Sequence, residues 1–378
     1  MLVALTDRHE QVILNSSIPK TALKQLRQTT KFYCPQCKQQ LQFKIGTFKI
    51  PHFAHNSNSL CDKYFSERET ERHLLGKEQL YQFFHSQHID VQLEPYLQNL
   101  KQRPDLLIKE GGHRFAVEFQ CSPISLEKKE QRNTGYERDF ISPIWIPAQP
   151  VNKEFQEGIM KISLPKQLQQ FILSSNQQQY IMLYDPTMRQ FIYLSNLMFL
   201  RGNYFISKVQ ALPITNQKFP FYLPKVITRK EFSQYVWLYH AYTHNYLKSR
   251  VLLSRKGVND LFLRSIYELR LNIQTLPKFI GVPVQESDAI SLYTVEWQAA
   301  LFYFLHIQQL QLSNMNNQAI NYFLKWASLP ETKRTVCAVK NYCCILQSLS
   351  INHPHQPCLE MELTNQLYSH FLAINYKY

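Results

Sequence analysis

Cys34-Pro35-Gln36-Cys37 places two thiols at the spacing of a metal knuckle, in which both sulfurs reach one ion. His52, His55 and Cys61 follow before the first long helical pattern. A C-x-x-C pair alone is weak, but nitrogen and sulfur donors gathered in one short stretch are a strong signal. Zn²⁺ prefers four such ligands in a closed tetrahedron, so there is one donor too many. Cys34, Cys37 and Cys61 are the expected soft ligands, with one histidine as the fourth. Spacing does not choose between the two; His55 is taken as the ligand and His52 as its alternative. A closed site of this kind is structural, stabilising a segment (1–65) too small for a full core.

The other cysteines, Cys121, Cys337, Cys343, Cys344 and Cys358, show no disulfide framework, as expected for a reducing compartment. With 378 residues, about 150 per domain implies two or three domains. Hydrophobic residues at 44% and aromatics at 13% exclude a disordered chain, and only 9 Gly exclude collagen-like or linker architectures. No run approaches the roughly 18 apolar residues of a membrane span, and Asp7-Arg8-His9-Glu10 cuts short any secretory signal. The expected location is cytoplasmic. Lys and Arg number 42 against 28 Asp and Glu, a net charge of +14 that favours a polyanionic partner, most simply nucleic acid.

Along the chain, Met1 to Leu5 and Gln11 to Leu14 predict a hairpin, and Pro19 to Gln28 a short helix. Helical spacing then runs from Glu67 to about Gln87. Strands are expected at Val91 to Tyr96, Asp105 to Lys109 and Phe115 to Gln120, the last two joined through Glu110-Gly111-Gly112. A polar helix over Leu126 to Arg138 precedes a strand from Ser142 to Ile146. Prolines at 147 and 150 mark a boundary, giving a central domain of 66–150 and a mixed, then mainly helical region of 151–378. There, Tyr180 to Tyr184 and Gln190 to Leu194 predict a hairpin. Helices are expected at Glu231 to Arg250, Val258 to Leu271, Ser291 to Leu312 and Asn321 to Ser328, their aromatic stripes read as core packing.

The candidate chemistry lies in the central domain. Glu69, His73 and Lys77 fall at i, i+4 and i+8 of the expected helix, hence on one face. Arg103-Pro104-Asp105 opens a strand, and Glu118-Phe119-Gln120 ends another, with Glu118 and Gln120 on the same side. Glu118 interrupts an apolar run and is costly to bury without a cation or donor. Carboxylates on adjacent strands, with a third from a packed helix, make an oxygen-lined site for Mg²⁺ or Mn²⁺ that can activate water against a phosphodiester.

Pro104-Asp105 followed by Glu118-x-Gln120, within the order helix, three strands, helix, strand, resembles the PD-(D/E)XK nuclease fold, with Gln120 in place of the usual Lys. More closely, several features in one order resemble the competence protein CoiA family. They are the Cys34 knuckle, His52-Phe53-Ala54-His55, the Glu69/His73/Lys77 helix, Asp105, Glu118-Phe119-Gln120-Cys121-Ser122, Arg132 to Tyr136 and Trp145. The resemblance covers roughly the first 150 residues. It implies a cytoplasmic protein of bacterial transformation, acting in recombination after DNA uptake, with a zinc-binding segment, a nuclease-like domain and a helical C-terminal region. It also implies that Glu69, Asp105 and Glu118 bind metal and that Gln120 occupies the catalytic Lys position. Arg132 and Tyr136 would face the site and contact phosphate, with His73 and Lys77 on the nucleic-acid side. A Gln amide neither titrates nor carries charge; Lys77 is the candidate for the missing cation.

The leading expectation is a metal-dependent DNA nuclease or processing factor, with recombination proteins of the transformation pathway as further candidate partners. The alternative is a non-catalytic DNA-binding or mediator protein on a nuclease-like scaffold, and a weaker third is a zinc-containing RNA-binding protein. No G-x-x-x-x-G-K-[ST] loop is present, so ATP hydrolysis is not expected.

Overall fold

The computed structural model describes residues 1–46, 49–56, 61, 69–151, 154–175, 178–252, 254 and 257–373. The first sheet contains β1 (Val3–Thr6), β2 (Gln11–Ile13), β3 (Phe32–Tyr33), β4 (Gln40–Lys44) and β5 (His52–Ala54), in the order β2-β1-β3-β4-β5, with α1 (Lys20–Thr29) between β2 and β3. The N-terminal hairpin and short helix therefore form where the pattern placed them. Alternation along β4 buries Leu41 and Phe43 and exposes their neighbours. The rings of Phe32, Phe43 and Phe53 meet beneath the sheet at centroid distances of 4.8–5.1 Å.

The central unit begins with α2 (Glu71–Ser86). Then follow β6 (Asp90–Leu93), β7 (Leu106–Glu110), β8 (His113–Gln120), α3 (Leu126–Arg138) and β9 (Ile141–Pro147). The order helix, three strands, helix, strand is observed. Strands β6, β7 and β8 pair antiparallel, and α3 is the crossover that returns β9 parallel to β8. Local chemistry sets both helix starts: the Thr70 side chain accepts the His73 N–H at 3.2 Å, and Ser125 Oγ accepts the Lys128 N–H at 3.3 Å. Gly76 lets α2 approach the sheet closely, because a Cβ there would stand 2.1 Å from Cε1 of Phe119.

Beyond the prolines a third sheet forms from β10 (Gly158–Ser163), β11 (Leu173–Ser175), β12 (Gln178–Asp185), β13 (Gln190–Arg201) and β14 (Tyr204–Pro213). It is antiparallel throughout, in the order β10-β14-β13-β12-β11, with the short helix α4 (Lys166–Gln169) between β10 and β11. The predicted hairpin is its β12–β13 pair. This sheet is joined directly to the central one. Ala148 N–H donates to Gln120 O at 2.8 Å and Gln149 N–H to Tyr184 O at 3.0 Å. Phe83 and Phe84 of α2 and Phe115 and Phe119 of β8 pack with Tyr184, Phe191, Phe219 and Phe221 as one aromatic cluster.

The C-terminal region is helical: α5 (Arg229–Leu252), α6 (Leu261–Glu268), α7 (Thr294–Ile307), α8 (Asn317–Trp326), α9 (Lys333–Ser348) and α10 (Glu360–Ala373). The aromatic stripes pack as expected, with Tyr235, Tyr239, Trp297, Phe304, Phe323 and Tyr342 all buried in one core. That core also takes Met198, Leu200 and Ile206 from the third sheet. Among the described residues no helix is long and apolar enough to cross a membrane.

Candidate metal centre and carboxylate site

The knuckle forms where β3 ends and the chain reverses into β4. Cys34 N–H donates to Gln39 O at 2.9 Å and Lys38 N–H to Cys34 O at 3.0 Å, with Lys38 in the left-handed region at φ 60°. His55 directly follows β5, the antiparallel partner of β4. The donor atoms of Cys34, Cys37, His55 and Cys61 all lie within 4.8 Å of one another, and Cys37 Sγ is 3.4 Å from His55 Nε2. Burial, then the neighbouring Cys34 and Cys37 thiols, push the Cys61 thiol up to about 12. Three sulfurs and an imidazole nitrogen suit Zn²⁺, whose charge would favour the thiolates, so the cluster can bind a metal such as zinc. His52 stands outside it: its Nδ1 lies 2.9 Å from Ile50 O.

The carboxylates gather around two cations. Lys77, on α2 and only 1% exposed, forms ion pairs with Glu69 and Glu94, and its Nζ lies 3.8 Å from Asp105 Oδ1. Glu69 does not share the helix face as expected, because Thr70 is the N-cap and Glu69 precedes the helix. It reaches Lys77 from that loop, where it also meets the Met1 amino group. Burial alone would raise Glu69, but Lys77 and the amino group more than offset it and hold the carboxyl well below its ordinary range. Lys77 is pulled down by burial and raised further by its three carboxylates, so it stays charged.

Asp105 immediately precedes β7, and the Leu106–Val117 register sets it opposite Glu118 on β8. Its Oδ2 accepts the Phe119 N–H at 2.8 Å and lies 3.2 Å from His73 Nε2. Burial would raise Asp105; His73, Lys77 and the Phe119 amide outweigh it and hold the group at about 2. His73 in turn is lowered by burial but raised overall by Asp105.

Glu118 has a separate set of partners. Its Oε1 accepts from Arg132 Nε at 3.1 Å, and also from Arg132 Nη2 and the Tyr136 hydroxyl. Arg132 and Tyr136, i and i+4 on α3, thus face the site as expected. Arg132 Nη2 also donates to Tyr136 Oη at 2.8 Å and to Arg103 O at 3.2 Å. Burial raises Glu118, Arg132 opposes this, and nearby Asp105 adds to the rise. Gln120 Nε2 donates to Ser122 O at 2.7 Å.

The structure therefore brings Asp105 and Glu118 side by side, with Lys77 and His73 on one flank and Arg132 and Tyr136 on the other. Among the described residues only the Cys/His group closes three or more donors to within 4.8 Å; Glu69, Asp105 and Glu118 do not, Glu69 and Asp105 sharing Lys77 while Glu118 is paired with Arg132. The sequence reading missed Glu94. It is buried at the end of β6 in the left-handed region, φ 50°, where its Oε2 accepts the Leu2 N–H at 3.1 Å. Its sequence signal is an acidic residue closing the alternating strand Asp90–Leu93 before Pro95.

Three family models match in succession: competence protein CoiA, N-terminal domain, over 15–64; its nuclease-like domain over 69–225; and its C-terminal domain over 238–329. The nuclease-like match takes in both the central unit and the third sheet. No solved structure matches the chain. Competence protein CoiA of Bacillus subtilis (strain 168) is 30% identical over 278 residues, covering 73% of this chain and 72% of that protein. On the family models, and on a similarity extending over most of both chains, this chain belongs to the competence protein CoiA family.

Proposed function

We propose that the chain is a divalent-cation-dependent DNA nuclease or DNA-processing factor of the PD-(D/E)XK type, acting in the cytoplasm in recombination during bacterial transformation. The observation that carries this reading is the Asp105–Glu118 pair across β7 and β8, with the buried Lys77 ammonium 3.8 Å from Asp105. Asp105 and Glu118, with Glu69 as the third carboxylate, would hold Mg²⁺ or Mn²⁺, which suit hard oxygen donors. When bound there, such an ion polarises a phosphodiester and helps ionise the attacking water. Lys77 supplies the cation that Gln120 cannot, keeping Asp105 ionised through helix α2 rather than from the strand. Arg132 and Tyr136 are placed to meet a phosphate once Arg132 exchanges Glu118 for it. The Cys/His cluster is structural.

A second reading, a non-catalytic DNA-binding or mediator protein, is favoured by one observation: Glu69, Glu94 and Asp105 are offset by Lys77, and Glu118 by Arg132. The discriminating experiment is cleavage of single-stranded, duplex and branched DNA with Mg²⁺ or Mn²⁺. Wild-type protein should cleave at least one form. Glu118→Ala should abolish cleavage with zinc content unchanged, and Gln120→Lys should preserve or increase it. Absence of cleavage by wild-type protein with either ion on every form, together with normal transformation by cells carrying Glu118→Ala, selects the mediator reading.

A further inference from the structure

A cavity of about 400 Å³ opens between the tip of the β13–β14 hairpin and the helical region, away from the residues discussed so far. Phe199, Arg201 and Tyr204 line it from the sheet; Tyr246 of α5, with Ser291 and Tyr293 ahead of α7, line it from the helices, as does Glu296 of α7, whose carboxylate is offset by Arg250. Its volume falls within the roughly 300–1,000 Å³ of small-ligand pockets. Tyr246 and Tyr293 stack face to face, 4.2 Å apart and 8° from parallel. The Arg201 guanidinium lies over both, 5.4 and 5.9 Å from their centroids. On β10, outside the cavity lining but over the ring of Tyr204, Lys161 Nζ sits 4.9 Å from the Tyr204 centroid and 4.5 Å from that of Tyr242.

These cations differ from the others in the neighbourhood. Lys208 is paired with Glu231, and Arg250 with Asp260 and Glu296. Among the described residues neither Arg201 nor Lys161 forms an ion pair; each is held over ring faces and keeps its charge uncompensated. Tyr204, at the hairpin tip, is 39% exposed and presents ring surface to the opening. Uncompensated cations beside an accessible aromatic face, around a cavity of nucleotide size, match a backbone phosphate and an unstacked base together. A duplex hides its base faces; a single strand offers them.

We infer that this cleft is a second nucleic-acid site that binds single-stranded DNA, stacking a base on Tyr204 and holding phosphate with Arg201 and Lys161. The inference rests on the reading that DNA is the partner, but not on cleavage at the carboxylate site. The test is fluorescence anisotropy of full-length, zinc-replete protein with labelled oligothymidine and with its duplex on oligodeoxyadenosine. Tyr204→Ala should lower the ratio of single-stranded to duplex affinity about tenfold, while Tyr204→Phe retains it. Arg201→Gln should lower the ratio and reduce the salt slope for the single strand by about 0.7. Photocrosslinking of wild-type protein to a 5-iododeoxyuridine oligonucleotide should label the hairpin-tip peptide, and this readout needs no variant to fold. If wild-type protein binds DNA but the ratio stays unchanged in both Tyr204→Ala and Arg201→Gln, or every crosslink maps elsewhere, this second site is refuted and the DNA reading stands. Failure of wild-type protein to bind either form refutes both.

Discussion

Gly76→Ala tests how tightly helix α2 must sit against strand β8. The added Cβ would stand 2.1, 2.6 and 2.7 Å from three carbons of the Phe119 ring, against an optimum of about 3.5–4.0 Å. The ring cannot easily swing aside: it is buried, with His73 stacked at 6.0 Å and Tyr184 edge-on at 5.9 Å. Alanine in a helix gains about 1 kcal/mol over glycine, whereas overpacking a core costs about 1–3 kcal/mol, or more where the clash is severe. Contacts this short belong at the upper end, so a net loss of about 2 kcal/mol is expected. That corresponds to a fall of roughly 4–8 °C in the melting temperature if the nuclease-like region, 69–225, unfolds as one unit. Phe119→Leu costs stability alone but makes room, so the double variant should lose less than the sum of the single changes. Calorimetry or denaturant titration of the four proteins measures this cycle. A Gly76→Ala protein as stable as wild type, or strictly additive losses, would refute the argument that this glycine exists for close approach.

Lys77→Met should cost about 3–5 kcal/mol by leaving Glu69, Glu94 and Asp105 without their shared cation, and adding Glu94→Gln should recover part of the loss in denaturant titrations. Elemental analysis of protein purified without chelator should find one zinc per chain, and Cys61→Ser should lower both the zinc content and the melting temperature. Asp105 is depressed to about 2 when folded, against about 3.9 unfolded, so its contribution to stability is complete above about pH 3.9 and lost as pH falls toward 2. Urea midpoints measured from pH 5 to pH 3 should therefore drop more steeply for wild type than for Asp105→Asn; parallel profiles would contradict this. His73 is raised, so its contribution is complete below about pH 6.5 and lost as pH climbs through the folded value. A His73→Gln protein should lack that alkaline-side loss.

What could be read from the chain was what local spacing encodes. Cys34 and Cys37 are neighbours in a turn, so their partnership is visible; the choice of His55 over His52 depends on which side of β5 a ring leaves and on its bond to Ile50, which no spacing contains. The central elements announced themselves through alternation and helical periodicity, and Glu118 through its place in an apolar run. Its partners were legible only as a facing pair, and that Arg132 and Tyr136 bind the carboxylate itself emerged from the packing of α3. Glu94 escaped because its reason for being there, Lys77, lies on helix α2 and not on its own strand. β14 and β10 escaped because they are only partly buried and their alternation is blurred. Helix α9 opens on Lys333, Arg334 and Thr335 and carries Cys343 and Cys344, so its apolar stripe was hard to see.

The aromatic cluster spanning α2, β8 and the third sheet sets an order in time as well as in space. During synthesis, strands β6 to β9 are translated before Tyr184, Phe191, Phe219 and Phe221. At about 5–20 residues per second, the face of α2 that carries Phe83 and Phe84 waits several seconds for its cover. Until then Lys77 and its carboxylates belong to a half-built interior open to water, where charges attract one another far less. The nascent chain thus passes through a stage in which its acidic cluster is exposed before it is sealed.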